Sequence, residues 1–453
     1  MNPPPGLRVT STTQFGECLF SDRAFAAGDI VLTERPILQW IFKDFDDIQG
    51  LITAYIDAGD KVQQEVDQFY CPPIDQVDIS PLQTRRKWLA DSHNTSGKFH
   101  DLTPEKIYKL LLIADANAHV YCGNSHTGDN LSTAALFKFG AKVSHSCSPN
   151  LFYTSKVTGE LMYIATKPIE PNEMLSFSYI KCYELSRHQR LKQLKNEKYF
   201  ICQCSRCVSE YDDTSGIYCK YVQTGNNDCD GAIYETSMAG TWKCNSCNLE
   251  CNSKTNEYLA EILEEITNIQ SLIELWTGST AIKSVDILEL LEIKQSVQEY
   301  LPKSHVLLIQ LLLYIASICR TYYHNLRDSG VTATTPPVVY QDIINTKMTI
   351  IELKFKEIES IILALDSIES IMHHQCTYRC SAIDYSNLVL WVSIDMIELL
   401  KNQEIEDAEQ LSFLRQSFTT LGTRYYDNLV LTYGVHDSDV GCIRQYLDDL
   451  NST

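Results

Sequence analysis

Hydrophobic and polar positions alternate along "LRVTSTTQFGECLFSDRAFAAGDIVLTERPILQW", residues 7–40, and the alternation breaks at Phe15-Gly16 and Ala27-Gly28-Asp29. A period of two, with glycine at the breaks, predicts short strands joined by turns. From 44 to 121 the period lengthens. Helical spacing is visible in "DDIQGLITAYIDAG" and in "TPEKIYKLLLIADANAHVY", where Thr103 followed by Pro104 predicts a helix start. The polar run "ADSHNTSGKFHD" between them reads as a loop. Strand character returns over 150–180, with turns expected at "VTGEL" and "PIEPNE" before the apolar strand "MLSFSYI". A charged helix, "ELSRHQRLKQLKNEKY", then leads into cysteine-rich coil that lasts to about 252. From 256 onward long amphipathic helices are expected, broken near Thr277–Ser279, at Leu301-Pro302, at 327–339 and at 372–384. They suggest an array of helical hairpins with no clean repeat signature.

Composition narrows this pattern to a folded chain of several domains. The 453 residues are 44% hydrophobic and 21% charged, which describes a globular protein. Apolar runs such as "HVLLIQLLLYIASIC" are short for a bilayer, and "MNPPPGLRVTSTTQ" has no apolar core of a secretory signal. A reducing compartment, cytoplasmic and/or nuclear, is the expectation. The net charge is −20, and residues 256–453 hold 28 acidic against 13 basic residues, hence −15 of it. Such a surface repels a nucleic-acid backbone and attracts a basic protein or peptide, although a merely solvated acidic face fits equally. Neither nucleic acid nor a membrane is expected as a partner, and a monomer is compatible with the sequence.

In a reducing compartment, clustered cysteines read first as metal ligands. Ten of the 17 cysteines lie between 147 and 251. Cys202-x-Cys204-x2-Cys207 offers three thiolates from one tight turn, one short of tetrahedral zinc. Cys147, in the Pro149-stiffened turn of "SHSCSPN", is the candidate fourth. A second set joins the Cys244-x2-Cys247 knuckle to the looser pair Cys219 and Cys229, with Cys251 able to replace a member. Both sites would be structural, with closed four-cysteine shells.

Together "FGECLFSDRAFAAGDIVLTERP", "SHSCSPN", "SFSYI" and "FICQCSRC" make the chain resemble the SET-domain protein methyltransferases of the SET-and-MYND type. The likeness covers roughly 7–40 and 110–252, and the helical tail fits in kind. It implies an α+β fold: a β-rich SET domain over 1–200 with a helical insert at about 44–121, a post-SET cysteine-rich zinc region over 201–255, and an all-helical C-terminal domain over 256–453. It implies zinc held by Cys147, Cys202, Cys204 and Cys207, pinning the post-SET loop over the active site. It implies S-adenosylmethionine bound near Gly16, Asn117, Ser144, His145, Tyr179 and Phe200, with Tyr179 as catalytic tyrosine. The implied reaction is methyl transfer to a lysine side chain of a protein, histone or not. Outside the motif, a tyrosine in "FSYI" would read as a core aromatic.

Three departures set a second expectation beside the first. Ser144 stands where the family has asparagine, and Cys18 where its opening loop has a second glycine. Between 40 and 110 only Cys71, His93 and His100 could bind metal, so no MYND finger is expected. A zinc-containing SET-fold scaffold with little or no turnover is therefore the alternative to an enzyme.

Overall fold

The alternation at the N-terminus folds as a hairpin: β1 (Leu7–Thr12) pairs antiparallel with β2 (Gly16–Ser21), Thr12 opposite Gly16. Gly16 has φ 68°, the left-handed region a glycine enters at little cost, and it opens the strand that carries Cys18. The computed structural model describes residues 3–451 except Gln14, Phe45, 74–80, 96–101, 122–131, 156–159, 223–228, 237–239, 278–285, 332–347, 372–385, 402–404, Glu406 and 434–436. Most of the "VTGEL" turn and three of the four expected helix breaks fall wholly or partly outside them, as do the side chains of His93 and His100. The chain divides into two compact units, the first formed by residues 1–182 and 188–208.

In that first unit β3 (Ile30–Glu34) and β4 (Leu38–Phe42) precede four helices, α1 (Gln49–Asp57), α2 (Gly59–Val66), α3 (Pro81–Thr95) and α4 (Pro104–Asn117). Then come β5 (His119–Tyr121), β6 (Ser132–Leu136), β7 (Ser144–His145), β8 (Leu151–Ser155), β9 (Leu161–Ala165) and β10 (Ser176–Phe177). Small sheets result, ordered β3-β9-β8 and β4-β6-β5, with β7 and β10 as a parallel pair. Helix α4 starts where the sequence predicts, the Lys106 N–H donating to Thr103 Oγ1 at 3.3 Å. Helix α3 was hidden from the hydrophobic pattern. It runs through Thr95, into the stretch read as a loop, and two of its buried positions are Gln83 and Arg86. Arg86 forks onto Asp115 of α4 at 2.7 and 3.0 Å with both side chains buried, so a core position reads as polar in the sequence.

Two apolar cores support this unit. One packs the inserted helices on β4 and β6 through Trp40, Ile52, Tyr55, Ile107 and Leu112. The other joins the strands through Leu19, Leu32, Phe137, Tyr163 and Leu175. The unit closes with α5 (Arg187–Lys198, from residue 188) and α6 (Ser205–Val208).

The second unit, residues 183–187, 209–375 and 379–453, opens on a sheet where coil was expected. Strands β11 (Ile217–Tyr218), β12 (Ala232–Glu235), β13 (Thr241–Cys244) and β14 (Glu250–Asn252) form an antiparallel meander. Strands of two to four residues are too short to register as a period. Helices α7 (Glu257–Thr277), α8 (Ile287–Tyr300), α9 (Val306–Asp328), α10 (Ile350–Ile371), α11 (Ser386–Lys401), α12 (Ala408–Tyr433) and α13 (Ser438–Asn451) follow. Helix α9 is long and apolar enough to cross a membrane by length and composition, but 72% of its apolar window is buried as a core helix. Lys354 of α10 is fully buried and is held by Glu357 at 2.5 Å and by Asp395 of α11 at 2.7 Å.

Candidate active site and metal centres

The parallel pair of β7 and β10 brings the Ser144–Cys147 turn beside the residues that lead to Tyr179. Ser144 sits opposite Ser176 and His145 opposite Phe177. Asn150 locks this arrangement. Its amide donates to Glu173 at 2.8 Å and to the Met174 carbonyl at 3.0 Å, while its oxygen accepts from the Ser176 N–H at 2.8 Å. From the other side, the Glu34 carboxylate accepts from the N–H groups of Phe139 and Gly140, fixing the turn that delivers Val143.

Tyr179 is held at both ends. Its N–H donates to His145 Nδ1 at 3.0 Å, and its hydroxyl donates to the Val143 carbonyl at 2.7 Å. Burial raises the phenol above its ordinary pKa, with the neighbouring Cys18 adding to the rise, so the hydroxyl keeps its proton. Because Nδ1 of His145 accepts, Nε2 carries the ring proton, and it faces Cys147 Sγ at 3.2 Å. Burial is the main cause that pushes His145 down to about 4, with Arg190 and Lys198 acting in the same direction and Cys204 opposing, so the ring is neutral. Phe200 completes the group, its ring 5.7 Å from His145 and 6.3 Å edge-on to Tyr179.

The other expected cofactor residues stand differently. The Asn117 amide nitrogen donates to the carbonyls of Tyr70 and Ile113, both at 2.7 Å, so its protons are spent inside the protein. The two departures from the family pattern touch each other: Ser144 Oγ donates to Cys18 Sγ at 3.1 Å, and Cys18 is fully buried.

Tyr179 also forms part of the wall of a cavity of about 260 Å³. Trp40, Phe42 and Ala134 give it apolar sides, and Asp44, Asp47 and Lys198 are among its polar ones. Lys198 had no signal in the sequence beyond its place before Phe200. Tyr199 between them has φ 66°, a left-handed conformation that costs a non-glycine residue roughly 1–2 kcal/mol. That kink follows the last residue of α5, and both neighbours of Tyr199 come close to Tyr179.

The cysteines assemble as two groups of four. Cys147, Cys202, Cys204 and Cys207 place their sulfurs within 4.8 Å of one another, and so do Cys219, Cys229, Cys244 and Cys247. A tetrahedron with zinc–sulfur bonds of about 2.3 Å has sulfur–sulfur edges of about 3.8 Å. The spacings of 3.6 Å for Cys147–Cys207, 3.6 Å for Cys219–Cys247 and 3.7 Å for Cys229–Cys244 fit it. Backbone N–H groups point at the sulfurs: Cys147 onto Cys204, Cys204 onto Cys202, Gly231 onto Cys229 and Ser246 onto Cys244, each at 3.4 Å. The crowded thiols, Cys147 first, hold Cys204 below the ordinary thiol range. Cys247 is lowered to about 7, first by the Leu249 backbone. Cys251 lies on β14 opposite Trp242, outside the group of four. Gly231 is required where it stands, because a Cβ there would lie 2.5 Å from Ser246 and 2.9 Å from Cys244 Sγ.

A family model of the SET domain matches residues 16–180. The protein-lysine N-trimethyltransferase SMYD5 of Danio rerio is 35% identical over 95 residues, which are 20% of this chain and 23% of that protein. The N-lysine methyltransferase SMYD2-A of Danio rerio is 29% identical over 140 residues, 31% of each chain. The chain thus spans about a quarter to a third of the length of these relatives. A solved structure, the SET domain of LSMT bound to lysine and AdoHcy, covers 82% of this chain and 87% of its own at 9% identity. Its TM-score of 0.29 is too low to carry an argument. Residues 16–180 match the SET domain, in a chain similar to the SET-and-MYND protein-lysine methyltransferases.

Proposed function

We propose that this chain is an S-adenosylmethionine-dependent protein-lysine N-methyltransferase with two structural zinc ions, one in each group of four cysteines. The observation that carries the reading is Tyr179, fixed by His145 and Val143 at the wall of a cavity inside the SET domain. The methyl donor supplies a reactive sulfonium; the protein supplies geometry and a dry site. The substrate amine forms the new N–C bond with its lone pair, the C–S electrons remain on sulfur, and the ammonium product sheds a proton to water. Tyr179 does not take that proton. Its hydroxyl proton is engaged by Val143, which leaves its lone pairs to orient the amine.

Gly16, Asn117, Ser144, His145, Tyr179 and Phe200 are assigned to the cofactor, Asn117 through its carbonyl oxygen. The acidic balance of residues 256–453 supports a basic protein or peptide substrate, and cytoplasmic or nuclear localisation fits a chain whose cysteines gather in two groups suited to zinc.

Calorimetric titration with S-adenosylmethionine and S-adenosylhomocysteine tests the reading, followed by labelled-methyl transfer to protein lysines. Binding of both is expected, and Tyr179→Phe is expected to cut transfer by about 10²–10³ while leaving the melting temperature and zinc content near those of the parent. Absence of binding at millimolar ligand would overturn the enzyme and leave the SET fold as a scaffold.

A further inference from the structure

The two groups of four cysteines differ in how far solvent reaches them. In the first, Cys147, Cys202 and Cys207 are buried and Cys204 is half-buried. In the second, Cys219 and Cys244 are buried and Cys229 is half-buried, but Cys247 is exposed. Cys247 stands at the tip of a turn closed by the Cys244 N–H on the Leu249 carbonyl at 2.8 Å. Every residue from Asn245 to Asn248 is exposed there, so the tip is open to solvent. Behind it the Cys219 sulfur lies 3.6 Å from the Cys247 sulfur, in contact with it. Cys219 is tied into the sheet, its N–H donating to the Gly231 carbonyl at 2.9 Å.

We propose that Cys247 is a modification site, where a hydroperoxide oxidises the second cysteine group and releases its zinc while the first group keeps its own. This rests on the zinc reading of the second group and adds a chemistry to it. Oxidation of a cysteine follows thiolate character and access, and a second sulfur within reach completes it as a disulfide. Both groups offer thiolates to a metal, so access decides, and only Cys247 among the eight cysteines is exposed. The Cys247 thiolate attacks hydrogen peroxide: the S–O bond forms, the O–O bond breaks, and the leaving hydroxide takes a proton to become water. The Cys219 thiolate then attacks the Cys247 sulfur. An S–S bond forms, and the second oxygen leaves as hydroxide, again protonated to water. Two electrons pass from the two thiolates to the peroxide. Cys229 and Cys244 are left as ligands, two where tetrahedral zinc needs four. The consequence falls on the small sheet and what it holds. Val222, at the end of the turn that begins with Cys219, accepts from the Asn256 amide just ahead of α7 at 2.8 Å.

The test uses the full-length, zinc-loaded chain, hydrogen peroxide and a colorimetric zinc chelator. Metal analysis before treatment should give two zinc ions per chain. Peroxide should then release one of them at least about tenfold faster than the other. Alkylation followed by peptide mass spectrometry should find a Cys219–Cys247 disulfide, with Cys147, Cys202, Cys204 and Cys207 still reduced. Dithiothreitol with added zinc should restore the untreated state. Cys247→His keeps a fourth ligand that peroxide spares, as in three-cysteine, one-histidine zinc sites, and should slow the fast release by about tenfold. Should that variant fail to hold zinc, the disulfide map of the parent decides. Equal release from both groups, or first oxidation in the Cys147 group, would overturn the proposal. One zinc per chain before treatment, lost in Cys204→Ser but kept in Cys244→Ser, would remove the second metal and the proposal with it. Binding of S-adenosylhomocysteine to the untreated chain, measured alongside, tests the methyltransferase reading separately.

Discussion

Two groups of four cysteines in one chain offer the same ligands at the same spacing, yet their surroundings reach different places. In the first, the Cys147 sulfur faces the Nε2–H of His145, whose other nitrogen accepts from Tyr179, so two hydrogen bonds link a metal ligand to the proposed catalytic residue. Buried Arg206 donates to the carbonyls of Cys147 and Cys182, tying α6 to the same turn. In the second, the N–H groups of Gly231, Ser246 and Cys247 bond to sulfurs of their own small sheet. Ligand chemistry alone would call both sites structural. The contacts around the ligands would separate a metal that shapes the proposed active site from one that holds a sheet together.

Removing one ligand from each site tests this separation with the largest effect. Structural zinc contributes about 10–16 kcal/mol in small zinc domains, comparable with the whole stability of an ordinary domain. Cys204→Ser and Cys244→Ser should therefore each lose one zinc per chain by metal analysis. Cys204→Ser should also lose nearly all affinity for S-adenosylhomocysteine, and Cys244→Ser a much smaller part of it. Equal losses of affinity in the two variants would break the comparison.

A smaller effect is expected one bond farther out. His145→Leu removes the donor to Cys147 and the acceptor of Tyr179 without touching a ligand. Loss of such a partner typically costs 10–100-fold in metal affinity. Zinc release to a chelator should therefore quicken by about tenfold, and methyl transfer should fall with it. A variant that releases zinc at the parental rate would show that the contact with Cys147 does not support the metal.

The visibility of these features in the sequence follows their chemistry. The first cysteine group and the "SFSYI" tyrosine were legible because metal ligands and short motifs are written in residue type and spacing. Helix α3 was not, because Arg86 occupies a core position and finds its partner Asp115 in a different helix. The sheet around the second cysteine group reads as coil in the sequence, since strands of two to four residues are too short to show a period. Lys198 was invisible for another reason. It ends a charged helix, and no local pattern marks that this end lies on the cavity wall with Tyr179.

The smallest effect concerns Cys18 and Ser144, which the sequence presents as two independent departures. In the structure they are one hydrogen-bonded pair, with the Ser144 hydroxyl on the Cys18 sulfur, and Cys18 is near enough to influence the Tyr179 phenol. Neighbours in one network do not act additively; coupling of about 0.5–1 kcal/mol is ordinary for such a contact. Cys18→Gly alone should leave the Ser144 hydroxyl without its acceptor, and Ser144→Asn alone should press a longer amide against a sulfur in a fully buried place. The double variant restores space and amide together. Its affinity for S-adenosylhomocysteine should exceed what the two single losses predict by about two- to fivefold, the equivalent of that coupling. Strict additivity would mean that the two residues share a hydrogen bond but no role in the site.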